Sequence, residues 1–138
     1  MTQEQKDLLI KDLCARLPYG VKYMRYSWDY DTDQELPVIE TLECADKDGY
    51  INHRRVYTVD DIKPYLFPLS SMTEEQKQEY TYIVNYISPD DTENWKEGEF
   101  IYVEQFSQLM HFYHINHLDY MGLIPMGLAI DATGLNIY

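Results

Sequence analysis

The sequence has few cysteines, few basic residues and no long apolar run. Cys14 and Cys44 are the only cysteines among 138 residues. Two thiols are too few for a disulfide framework, so we expect both to be reduced, as in a cytoplasmic protein. No stretch approaches the about 20 apolar residues of a membrane span, and the charges from Glu4 onward are not typical of a signal peptide. The sequence therefore predicts a cytoplasmic protein that does not enter a membrane.

Basic residues are scarce relative to acidic ones. The chain has 11 Lys and Arg residues against 24 Asp and Glu residues, a formal net charge of −13. Binding to a nucleic-acid backbone needs a surplus of Lys and Arg, so we expect no direct nucleic-acid binding. Residues 1–70 carry a net charge of −4 and residues 71–138 a net charge of −9. This imbalance predicts a basic protein partner, and an acidic decoy of a nucleic-acid-binding protein is an alternative.

Patterns typical of nucleophilic enzymes and of cofactor binding are also lacking. The sequence has no G-x-S-x-G turn for a reactive serine and no glycine-rich loop to hold a phosphate. Neither cysteine has a histidine or basic residue at the spacing typical of an activated thiol. We therefore expect no cofactor and lean against catalysis, while a catalytic site assembled from residues distant in the sequence stays open.

The patterns that are present predict a single α+β domain. A capping box formed by Thr2 and Gln5 opens an amphipathic helix, which Pro18 and Gly20 end. Short alternating runs then predict antiparallel strands, and later apolar residues recur at helical spacing. The predicted parts are an N-terminal helix over residues 1–18, a three-stranded β-meander over 20–60, a joint over 61–72 and a helical half over 73–138.

Two prolines mark the joint between the strands and the helices. Pro64 and Pro68 bracket three apolar residues, 65–67. Because proline lacks the backbone N–H of a sheet ladder, we expect no central strand in this segment.

The helical half is predicted to contain two helices and a packed, irregular C-terminal tail. A second capping box, formed by Thr73 and Gln76, opens a helix over 73–87. Gly98 is expected to break the chain before an apolar helix over 106–118, and residues 99–103 are expected to be a strand or an extended lead-in.

Carboxylates recur at alternate positions in the loop after the first predicted strand. Asp29, Asp31, Asp33 and Glu40 have the spacing of ligands in an EF-hand loop, which binds Ca²⁺. However, Gln34 stands where the sharp turn of that loop needs glycine, and the flanking residues predict strands rather than helices. We interpret the segment as an acidic β-turn without a metal, with a divalent-cation site as the alternative.

Three histidines recur at every third position near the end of the last predicted helix. Neighbouring pairs among His111, His114 and His117 have a spacing that can chelate Zn²⁺. We interpret His117 as a core histidine and the other two as edge residues, because no further ligand is evident. A metal-binding or hydrolytic protein that uses His114 and His117, or the acidic loop, is the alternative function.

The most specific prediction about a partner concerns one face of the helix over 73–87. Tyr82, Tyr86, Glu75 and Glu79 fall on the side away from the apolar stripe. A tyrosine surrounded by carboxylates is suited to anchor a basic partner, although Tyr82 packed beneath the following loop is equally compatible with the pattern. The leading prediction is a small, acidic, non-catalytic protein-interaction module with these four residues as its partner-binding surface.

Four segments resemble sequences that recur in small proteins of unknown function from gut Bacteroidales bacteria and their mobile elements. The segments begin at Ile62, Ser70, His117 and Gly127 and read IKPYL, SSMTEE, HLDYMGLI and GLAIDATGLNIY. The resemblance covers the N-terminal helix, the joint and the last third of the chain. It implies a shared fold and a prophage or mobile-element setting, but no activity and no functional residue that transfers to this chain.

Overall fold

Five strands separate the first helix from the second in a computed structural model. The structure describes residues 1–46, 48–52, 54–85 and 95–138, without the side chains of residues 54–57 and 95–103. No helix within these ranges is both long and apolar enough to cross a membrane. In chain order the elements are α1 (Gln3–Arg16), β1 (Lys22–Asp29), β2 (Gln34–Thr41), β3 (Tyr50–Ile51), β4 (Arg54–Thr58), β5 (Ile62–Leu66), α2 (Glu74–Asn85), α3 (Trp95–Ile115) and β6 (Ile130–Asp131).

Helix α1 begins at its predicted capping box. The Gln5 N–H donates to the Thr2 hydroxyl at 3.2 Å, and the Thr2 N–H donates to the Gln5 side chain at 3.0 Å. The helix ends in a 3₁₀ turn that contains Pro18, and Gly20 follows with φ of 68°, a conformation that glycine adopts without strain.

The α+β class predicted from the sequence is confirmed, since helices and mainly antiparallel strands are both present.

The main sheet has the strand order β2-β1-β5-β6. Strands β1 and β2 form an antiparallel hairpin in which Lys22 lies opposite Thr41 and Asp29 lies opposite Gln34. Strand β5 pairs antiparallel with the other side of β1, and the short strand β6 runs parallel to β5. The antiparallel region is therefore present, but its order differs from that of a simple meander.

The third predicted strand, over 50–59, is divided in two. Strands β3 and β4 pair with each other in a separate two-stranded sheet. Between them Asn52 has φ of 51°, a left-handed conformation that asparagine tolerates better than most residues. The Asn52 side chain also accepts the N–H groups of Glu43 and Cys44, at 2.7 and 3.2 Å. A turn at Asn52 thus interrupts the strand, and β5 is the next strand that joins the main sheet.

The proline-bracketed joint supplies β5, which lies inside the sheet between β1 and β6. The expectation that Pro64 excludes a central strand is wrong. Pro64 lies opposite Tyr23 of β1, whereas β6 pairs only with Tyr65 and Leu66. Within the described residues no strand lies on the second side of Pro64, so its missing N–H costs no ladder hydrogen bond there.

The helical half begins as predicted and then differs. At the second capping box the Gln76 N–H donates to the Thr73 hydroxyl at 3.2 Å, and α2 follows. Helix α3 starts at Trp95, so it includes Gly98 and residues 99–103. The predicted break and the predicted strand or extended lead-in are therefore wrong, because one helical glycine costs only about 1 kcal/mol, which the rest of a long helix offsets.

Among the described residues, buried apolar side chains form two clusters. The larger one joins α1 to the sheet, and the smaller one joins α2 and α3 through Ile83, Phe112 and Leu118. The members of the larger cluster are Leu9, Leu13, Val21, Tyr23, Leu42, Ile51, Val59, Ile62, Leu66, Leu123, Leu128 and Ala129.

The C-terminal tail packs against β5 and the residue that follows it. The Phe67 N–H donates to the His117 carbonyl, and the Asp119 N–H donates to the Phe67 carbonyl, both at 2.8 Å. Further along, the Ala132 N–H donates to the Leu66 carbonyl at 2.8 Å. These bonds hold the tail on the sheet, as a packed irregular tail was expected to be.

Candidate functional site

The acidic loop is the turn of the β1–β2 hairpin. Asp29 closes the hairpin opposite Gln34, and its two carboxylate oxygens accept the Asp31 N–H and the Thr32 hydroxyl, each at 3.0 Å. Asp33 has φ of 54°, as a turn residue in the left-handed region does. The carboxylate of Asp29 therefore stabilises the turn itself, in agreement with the β-turn interpretation.

Glu40 lies at the other end of the same hairpin. It is six residues beyond Gln34 on β2, which corresponds to about 20 Å along a strand. There its carboxylate accepts the Tyr23 hydroxyl at 2.6 Å and Arg25 Nη2 at 2.7 Å. Glu40 therefore does not join Asp29, Asp31 and Asp33, and the described ranges contain no group of three or more His, Cys, Asp or Glu residues that could hold a metal ion.

The three histidines point to three different neighbours. His111 Nδ1 lies 2.9 Å from the Tyr19 hydroxyl, and His114 Nε2 lies 2.9 Å from the Tyr120 hydroxyl. His117 lies beyond the end of α3 with φ of 53°, and its ring stacks on that of Tyr138 at a centroid distance of 3.7 Å. The change of backbone conformation at His117 breaks the helical spacing of the His114–His117 pair, whereas His111 and His114 both lie within α3.

Burial determines the charge of two of these histidines. It lowers the pKa of both His114 and His117 to about 4, with a further contribution from the nearby Arg16 cation. Both rings are therefore neutral at pH 7. Of these two histidines, His114 is buried, with 6% exposure, whereas His117 is only partly buried, so the core position predicted for His117 is occupied by His114.

The predicted partner-binding face of α2 is open to solvent where the structure describes it. Glu75 and Glu79 are exposed, and the Tyr82 side chain is 63% exposed. Tyr86, the fourth residue of the predicted surface, lies outside the described residues. Ile83, the next residue of the helix after Tyr82, is rotated from it by about 100° and is buried against Phe112.

A groove of about 440 Å³ runs beside Tyr82 between α2 and α3. Its base is apolar, formed by Ile83 and Phe112, and its rim carries the carboxylates of Glu79 and Glu104. The remaining lining residues are Ser107, Gln108 and His111. We call this feature the acidic groove. It brings Tyr82 and Glu79, which were both predicted from the sequence, together with Glu104 of α3, which sequence spacing did not indicate.

A second exposed apolar surface lies on the sheet. Tyr26 and Trp28 of β1 are 53% and 48% exposed, and Ile39 of β2 is 49% exposed. The hairpin register places all three on one face, because Tyr26 lies opposite Pro37 and Ile39 lies opposite Met24. Carboxylates also lie beside this aromatic sheet face, since a pocket lined by Met24 and Tyr26 includes Glu35, Asp60, Asp61 and the cation of Lys63.

The interior of the protein holds a charged pair on α1. Asp12 and Arg16 both have 0% side-chain exposure, and Arg16 Nε lies 2.7 Å from Asp12 Oδ2. Arg16 Nη2 also donates to the Leu118 carbonyl at 2.7 Å, and the guanidinium lies 5.2 Å from the centre of the Tyr120 ring. The pair therefore connects α1 to the segment that follows α3.

Sequence reasoning missed this pair, although a signal was present. Asp12 and Arg16 are one helical turn apart, and they share a face with Leu9 and Leu13, which belong to the core. Burial raises the pKa of Asp12, and the adjacent Arg16 cation opposes that effect. Opposite charges within an apolar stripe are the pattern that indicates a buried ion pair.

No protein-family model, curated protein or solved structure matches this chain.

Proposed function

We propose that this chain is a small acidic protein-interaction module that binds a basic, amphipathic helix of a partner protein in its acidic groove. The observation that carries the proposal is the placement of Tyr82 beside that groove, with its side chain 63% exposed. Glu79 and Glu104 flank the groove, while its base is apolar. An amphipathic helix with Lys or Arg on its polar side matches both features.

Charge supports the choice of a basic partner. The chain has a net charge of −13, and residues 71–138 account for −9 of it. Such a field attracts a cationic segment and speeds its encounter, and it repels nucleic acid. Tyrosine is common among residues that dominate interface energies, because its ring buries a large area at little entropic cost.

The setting that we propose is a bacterial cytoplasm and a prophage or other mobile element. The support for it is the resemblance of the four segments to small Bacteroidales proteins, together with the low cysteine content. A partner whose basic helix otherwise contacts nucleic acid would make the chain an acidic decoy. Competition between the chain and duplex DNA for one partner would identify that case.

The binding test uses a fluorescently labelled amphipathic peptide with Leu on one face and Lys and Arg on the other. Its anisotropy is titrated with the unmodified chain, with Tyr82→Ala and with Trp28→Ala, the matched aromatic change on the sheet face. We expect Tyr82→Ala to weaken binding by at least about tenfold, as loss of an interface anchor does, and Trp28→Ala to have little effect. Affinity should also fall with added salt.

Thermal stability separates an anchor from a structural residue. Because Tyr82 is exposed, Tyr82→Ala should change the melting temperature by no more than about 2 °C. A much larger decrease would show that the ring supports the fold, and the anchor role would be rejected. Loss of binding in Trp28→Ala but not in Tyr82→Ala would move the partner surface to the sheet face.

A further inference from the structure

The aromatic sheet face, formed by Tyr26, Trp28 and Ile39, is an apolar surface that the fold leaves uncovered. Each of the three side chains is roughly half exposed. Pro37 is also exposed and lies on the same face, because it is directly opposite Tyr26 in the hairpin register. Single exposed apolar residues are ordinary, but aromatic side chains grouped with other apolar ones are typical of an interaction surface.

The two aromatic side chains present hydrogen-bond donors as well as apolar surface. In the part of the chain that the structure describes, neither the Tyr26 hydroxyl nor the Trp28 indole N–H donates a hydrogen bond to another residue. The indole N–H can only donate, and the tyrosine hydroxyl can donate as well as accept. A complementary ligand therefore has an apolar surface and carbonyl oxygens that accept these two bonds.

A carboxylate adjoins the tryptophan. Glu35 is exposed and lies directly opposite Trp28 in the hairpin, and among the described residues no ion pair includes Glu35. The cation Lys63 lies on β5 opposite Met24, which is four residues, or about 13 Å, from Trp28 along β1. Tryptophan attracts cations most strongly of the aromatic side chains, and arginine stacks on such rings. An arginine over Trp28 therefore meets both the ring and an unpaired carboxylate.

Two common modes of peptide recognition fit this face poorly. A peptide strand added to the open edge of β2 would meet Pro37, which lacks the N–H that a ladder needs. An amphipathic helix needs an apolar groove, whereas the depression beside Tyr26 has a charged lining that includes Glu35, Asp60, Asp61 and Lys63. A polyproline II helix instead packs its prolines on aromatic side chains, and its carbonyl groups have no internal partners.

We propose that the aromatic sheet face binds a proline-rich segment of a partner protein, in the polyproline II conformation and with an arginine beside the prolines. The prolines pack on Tyr26, Pro37 and Ile39, and the segment's carbonyl groups accept hydrogen bonds from Tyr26 and Trp28. The arginine lies over Trp28 beside Glu35. This surface belongs to β1 and β2 and shares no residue with the acidic groove, so it is a second site for a different kind of ligand.

The test is fluorescence anisotropy with a labelled peptide of the sequence RPPLPPLP. In the control peptide, RAALAALA, alanine replaces every proline at unchanged length and charge. We expect saturable binding of RPPLPPLP and at least about tenfold weaker binding of RAALAALA, because the control loses conformational freedom on binding that the polyproline II helix does not have. No saturable binding of RPPLPPLP, or equal affinity of the two peptides, would overturn the proposal.

Three single substitutions locate the bound peptide. Trp28→Ala and Tyr26→Ala should each weaken the binding of RPPLPPLP by at least about tenfold, as loss of an interface anchor does. Tyr82→Ala, the matched aromatic change at the acidic groove, should leave this binding unchanged. Circular dichroism shows whether each variant is folded. Unchanged binding in folded Trp28→Ala and Tyr26→Ala, or loss of binding in Tyr82→Ala, would assign the peptide to another surface and reject the site.

The arginine contact has a test of its own that leaves every aromatic side chain in place. The peptide QPPLPPLP has a neutral residue instead of arginine, and the unmodified chain should bind it about threefold more weakly than RPPLPPLP. Glu35→Gln should reduce that preference to less than about twofold, whereas Glu75→Gln, the same change at an exposed position of α2, should retain it. An equal preference in both variants would show that the arginine responds to the net charge of the chain, and would contradict the contact with Glu35.

Discussion

The buried Asp12–Arg16 pair and the exposed acidic groove differ in how their charges are compensated. Inside, each charge has a specific partner, and both side chains have 0% exposure. Outside, Glu75 and Glu79 are exposed, and the ion pair on α2, between Lys77 and Glu74, is also exposed. Surface pairs contribute little to stability, whereas a buried charge that loses its partner destabilises strongly. The interior pair therefore contributes to the stability of the fold, whereas the exposed carboxylates contribute little to it.

Breaking the interior pair should have the largest effect on stability. Arg16→Met leaves the Asp12 carboxylate buried without its cation and removes the bond to the Leu118 carbonyl. We expect the free energy of unfolding to fall by about 3–5 kcal/mol, the usual cost of a broken buried pair. Urea denaturation measures it.

The double variant Asp12→Leu/Arg16→Met tests the cause. Without either charge, most of the lost stability should return, since an apolar pair avoids the desolvation penalty. A double variant as unstable as Arg16→Met would show that packing of the arginine, rather than the unpaired carboxylate, accounts for the loss.

The apolar cluster beneath the acidic groove should respond next. Ile83 is 6% exposed and packs with Phe112 and Leu118. Ile83→Asp places an unpaired carboxylate there and should destabilise the protein by about 3 kcal/mol. The exposed Gln78 on the same helix provides the control, because Gln78→Asp should change stability by no more than about 0.5 kcal/mol. Equal melting temperatures for Ile83→Asp and the unmodified chain would contradict the packing of α2 on α3.

The buried histidine should give a smaller, pH-dependent effect. Burial lowers the pKa of His114 from 6.5 to about 4, so at intermediate pH the unfolded chain binds a proton that the folded chain does not. The stability conferred by the neutral ring is complete above pH 6.5 and is lost as the pH falls toward about 4. His114→Gln, measured by urea denaturation at several pH values, should therefore lose less stability on acidification. A pH dependence parallel to that of the unmodified chain would contradict this assignment.

The acidic loop should show the smallest effect. Because Glu40 bonds to Tyr23 and Arg25 at the far end of the hairpin, we expect millimolar Ca²⁺ to leave the melting temperature unchanged. The variant Asp29→Ala/Asp33→Ala should behave in the same way toward Ca²⁺. Micromolar Ca²⁺ binding by titration calorimetry, lost in that variant, would restore the cation-site alternative.

Local features of the fold could be predicted well. The helix starts near Thr2 and Thr73 depend on hydrogen bonds between residues three positions apart. Helical periodicity alone could separate the exposed Tyr82 from the buried Ile83, since consecutive residues of a helix point about 100° apart. Strand β5 could not be predicted from the sequence. A proline destabilises a strand only where a neighbouring strand needs its N–H, and β6, near the end of the chain, pairs with Tyr65 and Leu66 but not with Pro64.

The sequence by itself determined the net charge, the caps, the acidic turn and the exposed face of α2, because each depends on composition or on neighbours within about one helical turn. Only the tertiary structure decided which buried charged side chains contact residues that are distant in the sequence. Arg16 donates to the Leu118 carbonyl across 102 residues of sequence. No local pattern carries a contact of that range, and so this hydrogen bond formed only when α1 packed against the residues that follow α3.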